Sequence, residues 1–202
     1  GFTHGDPPSG TDSPVDHWVS WSCGQEEALV PHLRDLDVLV LNHGINPQGD
    51  QRPETMSKAL EVNALSSWRM LRCCEHLCRE RATQALEVWV NTSEAEIQPA
   101  VSPAYELSKR LLGQLVSMRG ATRSAEERSQ LVLRKLVLGP FRSDLNPIGV
   151  MTADFVAGQV LWQARMGARL IIVTPNPLTY VLMPLTEMGR RLYSRALSRP
   201  DP

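Results

Sequence analysis

The 202-residue sequence has no long apolar run and no excess of either charge. Its longest apolar stretches, around VLVL and LIIV, are far shorter than the ~20 residues of a membrane helix, so no membrane span is predicted. A net charge of −1, with acids and bases mixed along the chain, argues against a nucleic-acid partner. The N-terminus lacks a basic segment followed by an apolar stretch, so no signal peptide is predicted and the cytoplasm is the expected location.

Cysteine is also scarce, and three of the four cysteines crowd into CCEHLC at 73–78. They are interpreted as reduced thiols of an intracellular helix rather than as a disulfide framework. Cys74 and Cys78 share a helix face near His76, which leaves a soft-metal cluster as an alternative. Adjacent cysteines point in different directions on a helix, and structural zinc needs four convergent ligands. We therefore predict apolar packing and no metal site.

Short apolar strands alternate with longer helical patterns, which is typical of a parallel sheet wrapped by helices. A hydrophobic content of 42% is enough for one sizeable core, and residues 1–202 are predicted to form a single α/β domain. The predicted strands lie at 17–22, 37–44, 86–93, 129–139 and 168–175. The predicted helices lie at 24–36, 54–82, 102–117 and 152–166.

The helix at 102–117 begins SPAYELSKR, which places Tyr105 and Lys109 one turn apart on the same face. Taken alone, this spacing is most simply a solvated lysine near a half-buried tyrosine. A phenol has a pKa of about 10, and an ammonium about 4 Å away would favour the phenolate by up to about 4 kcal/mol. The spacing therefore predicts a tyrosine whose pKa is lowered towards neutrality, although burial acts in the opposite direction.

Further polar residues follow in chain order at the expected ends of strands. The segment LDVLVLNHG ends a strand, EVNALSS lies inside the following helix, and VNTS ends the next strand. Together with the Tyr-Lys pair, this ordered set resembles the short-chain dehydrogenase/reductase family. The resemblance runs from GFTH to LIIVTPNP, nearly the whole chain.

The resemblance implies a Rossmann-type, doubly wound parallel sheet and an NAD(P)-dependent oxidoreductase that interconverts a carbonyl and an alcohol. It implies that Tyr105 is the general acid/base and that Lys109 binds the nicotinamide ribose and lowers the tyrosine pKa. By the same analogy Ser93 holds the substrate oxygen and Asn63 supports a water of a proton path. The other predicted cofactor-binding residues are Thr3, His4, Asn42, His43 and Gly44.

Two local departures from the family pattern leave alternatives open. His43 stands where the family usually has alanine, and packing against the sheet is favoured over a catalytic role. In many relatives thirteen positions separate serine and tyrosine, whereas Ser93 precedes Tyr105 by twelve. We prefer Ser93, with Thr92 as the alternative.

The largest departure is the absence from this sequence of the family's glycine-rich turn, TGxxxGxG, which receives the pyrophosphate. GFTH resembles the end of the second strand, so the first strand and its helix are missing from this chain. We expect the natural protein to be longer at its N-terminus and dinucleotide binding by this chain to be weak. Thr3 and His4 occupy the region where relatives that prefer NAD carry an acid, with Asp6 two positions later, so NADP is favoured over NAD.

The tail, 175–202, is predicted to cover the substrate cleft or to pack in a dimer, and membrane association is not expected. Pro177 and Pro184 are expected to limit any continuous helix to the last dozen residues. The helices that carry Asn63 and the Tyr-Lys pair indicate a homodimer or homotetramer.

Three segments, NHGINP, VNTSEAE and TPNPLTYVLMPL, are similar to reductase portions that accompany a sterol-desaturase-like membrane domain in some bacterial proteins. The predicted partner is thus a small carbonyl or alcohol, with a lipid-like substrate favoured slightly. A catalytically idle fold used for binding or regulation is the alternative. An extended-type epimerase or dehydratase would need a larger C-terminal domain than this tail.

Overall fold

The computed structural model of the chain describes residues 1–4, 15–80 and 85–197. The predicted loop at 5–14, which includes Asp6, lies outside the described residues. The strands of the described residues are β1 (Phe2–Thr3), β2 (Val19–Ser20), β3 (Val38–Leu41), β4 (Leu86–Ser93), β5 (Leu131–Leu138) and β6 (Leu170–Val173). They form two separate parallel sheets, one with two strands in the order β1-β2 and one with four in the order β3-β4-β5-β6.

The register of the four-stranded sheet aligns the carboxyl ends of its strands. Leu86 pairs with Leu131 and Ser93 with Leu138, so β4 and β5 match along their whole length. Leu41, the last residue of β3, pairs with Val90 of β4. Polar residues that follow these strands therefore gather at one edge, where α/β sheets bind their ligands.

Helices cover both faces of this sheet. Buried residues of β3, β4 and the first part of β5 pack against α3 and α4 in one core cluster. Residues Leu136 and Leu138 pack with α6 and β6 in a second cluster. The predicted α/β parallel architecture with helices on both faces is thus confirmed. The helices are α1 (Val30–Leu33), α2 (Pro53–Leu60), α3 (Ser66–Glu80), α4 (Pro103–Thr122), α5 (Ala125–Gln130), α6 (Ala153–Arg165) and α7 (Pro177–Leu197).

Two helical segments differ from the sequence expectation. The helix expected at 24–36 consists of a 3-10 turn at Glu26–Leu29 followed by the single turn of α1, in which Pro31 occupies the first turn. The long helix expected at 54–82 is interrupted by a π-helical turn at Glu61–Leu65. Such turns are rare and occur mostly at functional sites, and this one carries Asn63.

The prediction that prolines would confine the tail helix to its last dozen residues is wrong. Helix α7 runs continuously through Pro184, and Pro177 takes its first position, where no backbone donor is needed. Thr179 and Met183 are buried, and α7 packs along α4, so tertiary packing offsets the hydrogen bond that Pro184 cannot make. Within the described part of the chain, no helix combines the length and hydrophobicity needed to cross a bilayer.

Candidate active site

The carboxyl end of β4 and the start of α4 bring the Tyr-Lys pair to the edge of the sheet. Ser102 caps α4 by accepting a hydrogen bond from the Tyr105 amide at 3.4 Å, and Pro103 occupies the first helical turn. Helix α4 then packs back against β4. The first turns of α4 therefore lie beside the residues that end β4.

Ser93 is the hydroxyl that meets the tyrosine. Its hydroxyl accepts a hydrogen bond from the Ala95 amide at 3.2 Å and lies near enough to the Tyr105 phenol to influence the tyrosine pKa. The pKa of Tyr105 is raised, because burial disfavours the phenolate and the charge of Glu94 adds to this, while the nearby Ser93 hydroxyl acts in the opposite direction. Tyr105 is thus a protonated donor at neutral pH.

Lys109 is buried beside the Tyr105 ring. Its Nζ donates to the Asn91 backbone oxygen at 2.9 Å and lies 5.8 Å from the centroid of the Tyr105 ring. Among the described residues, no carboxylate forms an ion pair with it. Burial lowers the pKa of Lys109 to about 8, and the more distant charge of Glu96 opposes this shift. An ammonium that has one bond keeps two donor hydrogens for a ligand.

The prediction that Lys109 lowers the tyrosine pKa is wrong for this arrangement. The i, i+4 spacing does bring the two side chains together, but the ammonium lies over the ring and donates to the Asn91 carbonyl. Burial is the largest influence on the pKa of Tyr105, and its direction is upward.

The alternation of side chains along β4 separates Ser93 from Thr92. Successive residues of a strand point to opposite faces, so only one of the two can meet Tyr105. Thr92 Oγ1 donates to the Leu136 backbone oxygen at 3.0 Å and is buried. The geometry thus favours Ser93 for contact with a substrate.

Asn63 joins the loop after β3 to α4. Its Oδ1 accepts from the Ile45 amide at 2.7 Å, and its Nδ2 donates to the Ile45 carbonyl at 2.9 Å and to Ser108 Oγ at 2.8 Å. Ser108 in turn donates to the Tyr105 carbonyl at 2.9 Å. Both amide hydrogens are therefore used within the protein, and Asn63 fixes the position of the tyrosine turn rather than holding a water through its amide hydrogens.

The NHG segment lines the same edge. Asn42 accepts a hydrogen bond from the Asn91 side chain. A side chain at Gly44 would lie 3.1 Å from Asn63 Oδ1, so glycine lets the loop approach the asparagine. His43 Nε2 lies 3.2 Å from Ser66 Oγ, and burial lowers its pKa to about 4, so this imidazole is neutral at physiological pH. Its packed position agrees with the structural role predicted for it.

Thr3 is the last residue of β1 in the neighbouring two-stranded sheet, and His4 follows it directly. The His4 ring stacks on Trp21 with centroids 4.2 Å apart and lies 5.6 Å from the His43 ring. The positive charges of His4 and Lys109 both contribute to the lowered pKa of His43, after burial. The structure thus brings the N-terminal candidates next to the NHG segment, and through it towards the Tyr-Lys pair.

Two residues of the site were missed by sequence reasoning. The backbone oxygen of Asn91 accepts the hydrogen bond from Lys109, and its side-chain Nδ2 donates to Asn42 Oδ1. The Asn91 Oδ1 is buried without a hydrogen-bond partner among the described residues. Ser108 links Asn63 to the Tyr105 turn. The period of two along β4 places Asn91 on the face of Ser93, and that signal could have identified it.

The polar groups at this edge are of the kind that bind the nicotinamide half of a dinucleotide. Lys109 and Tyr105 present donors, Gly44 keeps the loop close, and the unpartnered Asn91 Oδ1 is an acceptor for an amide. These groups fit a nicotinamide with its ribose. Within the described residues, no group of three or more His, Cys, Asp and Glu side chains is arranged for a metal ion, and Cys74 and Cys78 lie in the apolar core.

Comparison with solved structures identifies the fold. An alcohol dehydrogenase from Comamonas testosteroni, specific for bulky-bulky ketones, superposes with a TM-score of 0.68 over 92% of this chain and 75% of that protein, at 14% identity. A short-chain dehydrogenase from Sphingobium yanoikuyae in complex with NADPH gives 0.67 over 92% and 77%, at 13% identity. The chain has the short-chain dehydrogenase/reductase fold, so the family resemblance of the sequence is confirmed at that level.

The sequence comparison gives a more similar relative. A protein from Synechocystis sp. named monoglucosyldiacylglycerol epimerase is 42% identical over 180 residues, which are 89% of this chain and 42% of that protein. The chain thus spans less than half the length of this curated relative. No family model matches the sequence.

Proposed function

We propose that this chain carries the active site of an NAD(P)-dependent enzyme that transfers a hydride reversibly at a secondary alcohol or ketone. The observation that supports this most strongly is the meeting of Ser93, Tyr105 and Lys109 at the carboxyl edge of the sheet. Lys109 is buried beside a partly buried phenol and has no counter-ion among the residues that the structure describes, an arrangement with no evident structural purpose. The catalytically idle alternative is disfavoured for the same reason.

Each residue has a role that follows from its contacts. Tyr105, kept protonated by burial, donates its proton to the carbonyl oxygen as the ketone is reduced. Ser93 holds that oxygen through its hydroxyl, which lies beside the Tyr105 phenol. Lys109 is still largely protonated at pH 7, because its pKa is about 8, and it offers its remaining donors to a ribose. Asn63, through Ser108, keeps the tyrosine turn in place.

The proposed cofactor is NADP or NAD, with NADP favoured because no acid occupies positions 3 and 4. When bound, the nicotinamide supplies and accepts the hydride. Lys109, Asn91 and Gly44 would hold its ribose and amide end, whereas Thr3 and His4 would lie towards the adenosine. Titration with each of the two cofactors, followed by fluorescence, tests the preference, and tighter binding of NAD would contradict it.

A second candidate, epimerisation, is favoured by the 42% identity to the Synechocystis epimerase. In this reaction Tyr105 would take the proton from a sugar hydroxyl as hydride leaves the same carbon, then return it as hydride adds to the opposite face. Atoms and electrons balance over the cycle, and no cofactor is consumed. The proposed substrate is then the sugar headgroup of a glycosylated glycerolipid, which agrees with the lipid-like substrate expected from the sequence.

Replacement of Tyr105 by phenylalanine tests the shared chemistry. General acid/base catalysis contributes about 10²- to 10⁴-fold, so the rate should fall by that factor. Tyr193→Phe is the matched control, because Tyr193 is exposed on α7 and should leave the rate unchanged. An undiminished rate in the Tyr105→Phe protein would rule out the proposed role.

Product analysis separates the two candidates. Incubation of a monoglucosyl diacylglycerol with the protein and catalytic cofactor should convert the lipid to a sugar epimer if the reaction is epimerisation, with no net change in cofactor absorbance. A net oxidoreductase instead consumes cofactor with a ketone substrate. If neither occurs with Tyr105 intact, the binding-only alternative is supported.

A further inference from the structure

A basic cavity lies at the end of the sheet opposite the candidate active site. It has a volume of about 140 Å³ and is walled by the end of α4, the first residues of β5 and β6, and α7. Gly120 at its wall follows Tyr105 on α4 by fifteen residues, or about 22 Å along the helix. The cavity is therefore separate from the Tyr-Lys pair.

The charges at this cavity are strongly unbalanced. Its charged lining residues are Arg123, Arg128, Lys135, Arg169, Glu187 and Arg191. Lys135 is bonded to Glu187 at 2.8 Å and to Glu96 at 2.6 Å, so these acids are already used. Among residues 1–4, 15–80 and 85–197, none of the four arginines forms an ion pair with a carboxylate.

Structural roles account for only part of this set. Arg123 donates to the carbonyls of Glu127 and Leu131, and Arg128 donates to that of Ala121 at 3.4 Å, which satisfies backbone groups after α4. Carbonyls are neutral, so they leave the net positive charge in place. Arg169 and Arg191 are exposed and cap no described carbonyl.

Arg123 gives an independent indication of a missing partner. The residue is only 4% exposed, yet its Nε is buried without a hydrogen-bond partner among the described residues. Its pKa is lowered by burial, and the positive charges of Arg119 and Arg169 add to this effect, although Glu75 and Glu127 oppose it. An anion in the cavity would relieve this repulsion.

We propose that this cavity binds a phosphate-type oxyanion, held by Arg123, Arg169 and Arg191. Arginine suits such a ligand because its planar fork matches phosphate oxygens. A single water needs only about 10–15 Å³ of such space, so a group of several atoms fits. The ligand is a free phosphate or the headgroup of an anionic lipid.

The surface beside the cavity has features of a membrane-binding helix, so an anionic lipid headgroup is tested separately from free phosphate. Glu187 and Arg191 line the cavity, and the neighbouring α7 side chains Leu185, Met188 and Leu192 are exposed. A helix with an apolar face and flanking arginines can lie at a membrane interface. The shared chemistry in both sources is the phosphate group.

The double variant Arg169→Gln/Arg191→Gln tests the site without disturbing the buried Arg123. Its matched control is Arg34→Gln/Arg165→Gln, which removes the same charge from exposed positions that do not line the cavity. Inorganic phosphate and pyrophosphate are titrated calorimetrically against the full chain. Phosphatidylcholine vesicles with and without phosphatidic acid are co-sedimented with the same proteins.

Saturable binding by the wild type is expected, and removal of each charge-assisted hydrogen bond to the anion should weaken it about tenfold. The double variant should therefore bind about 100-fold more weakly, since two such bonds are removed, and the control variant should match the wild type. Binding of the free anions identifies a free phosphate as ligand, and binding of phosphatidic acid vesicles alone identifies a lipid headgroup. The proposal is overturned if neither probe binds, or if the control variant binds as weakly as the cavity variant.

Discussion

Two of the three lysines in the chain are buried to the same extent, 5% exposed, but in opposite electrostatic surroundings. Lys135 on β5 meets Glu96 at 2.6 Å, Glu187 at 2.8 Å and Ser117 Oγ at 2.8 Å. Lys109 on α4 has the Asn91 carbonyl and the Tyr105 ring. Burying a cation is costly unless a counter-ion is present, so the first arrangement is structural and the second requires a functional reason.

The difference also explains how the fold positions its site. The ion-paired cluster of Lys135, Glu96 and Glu187 ties together β5, the turn after β4 and α7. Glu96 follows Ser93 by three residues, so this cluster anchors the chain just beyond the candidate substrate hydroxyl. Lys109, which has no carboxylate partner in the described part of the chain, then lies on a rigid frame, as a preorganised site requires.

Methionine substitution at each of the two buried lysines should give the largest difference in the free energy of unfolding. Lys135→Met leaves the carboxylates of Glu96 and Glu187 without their shared counter-ion and should lower the free energy of unfolding by about 3–5 kcal/mol. Lys109→Met removes a buried charge that has no carboxylate partner among the described residues, and it should leave the free energy of unfolding unchanged or raise it, because burial already disfavours this charge. Urea unfolding measures both, with the exposed Lys58→Met as control, expected within about 0.5 kcal/mol of wild type. Equal losses at positions 109 and 135 would show that the two lysines do not differ.

Gly113→Ala should weaken the ion-paired cluster by displacing Glu96 rather than by removing Lys135. A Cβ at Gly113 would lie 1.9 Å from Glu96 Oε2, so alanine must displace the carboxylate from Lys135. Overpacking of this kind costs about 1–3 kcal/mol of unfolding free energy. Gly158→Ala on α6 is the control, because its new methyl group meets no atom within 4 Å, and it should be neutral or slightly stabilising. Removing Glu96 in the same protein should recover part of the loss; simple additivity of the two changes would contradict the proposed clash.

The sequence predicts the framework of this comparison but not its electrostatics. Apolar strands alternating with helices predict the sheet, and β4 at 86–93 agrees with its predicted bounds because its alternation is uninterrupted. The i, i+4 rule brings Lys109 to Tyr105. The partners of Lys135 lie 39 residues before it and 52 after it, and no local pattern connects them. The raised pKa of Tyr105 likewise depends on burial, which arises from tertiary packing.

The smallest expected effect is a pH dependence of the free energy of unfolding, which reports on the protonation of Lys109. Its pKa falls to about 8 on folding, from an ordinary value of 10.5. Between these values the unfolded chain holds a proton that the native protein has released, so raising the pH favours the native state. Stability should therefore rise by about 1 kcal/mol per pH unit from pH 8 to 9.5 relative to Lys109→Met, because one proton is linked to folding. Urea midpoints in that window measure this difference, and the range stops below pH 10 because Tyr105, with its raised pKa, acts in the opposite sense there. The free energy of unfolding of the Lys58→Met control should follow that of the wild type throughout this range. If the difference in unfolding free energy between wild type and Lys109→Met does not vary with pH, Lys109 keeps its proton on folding.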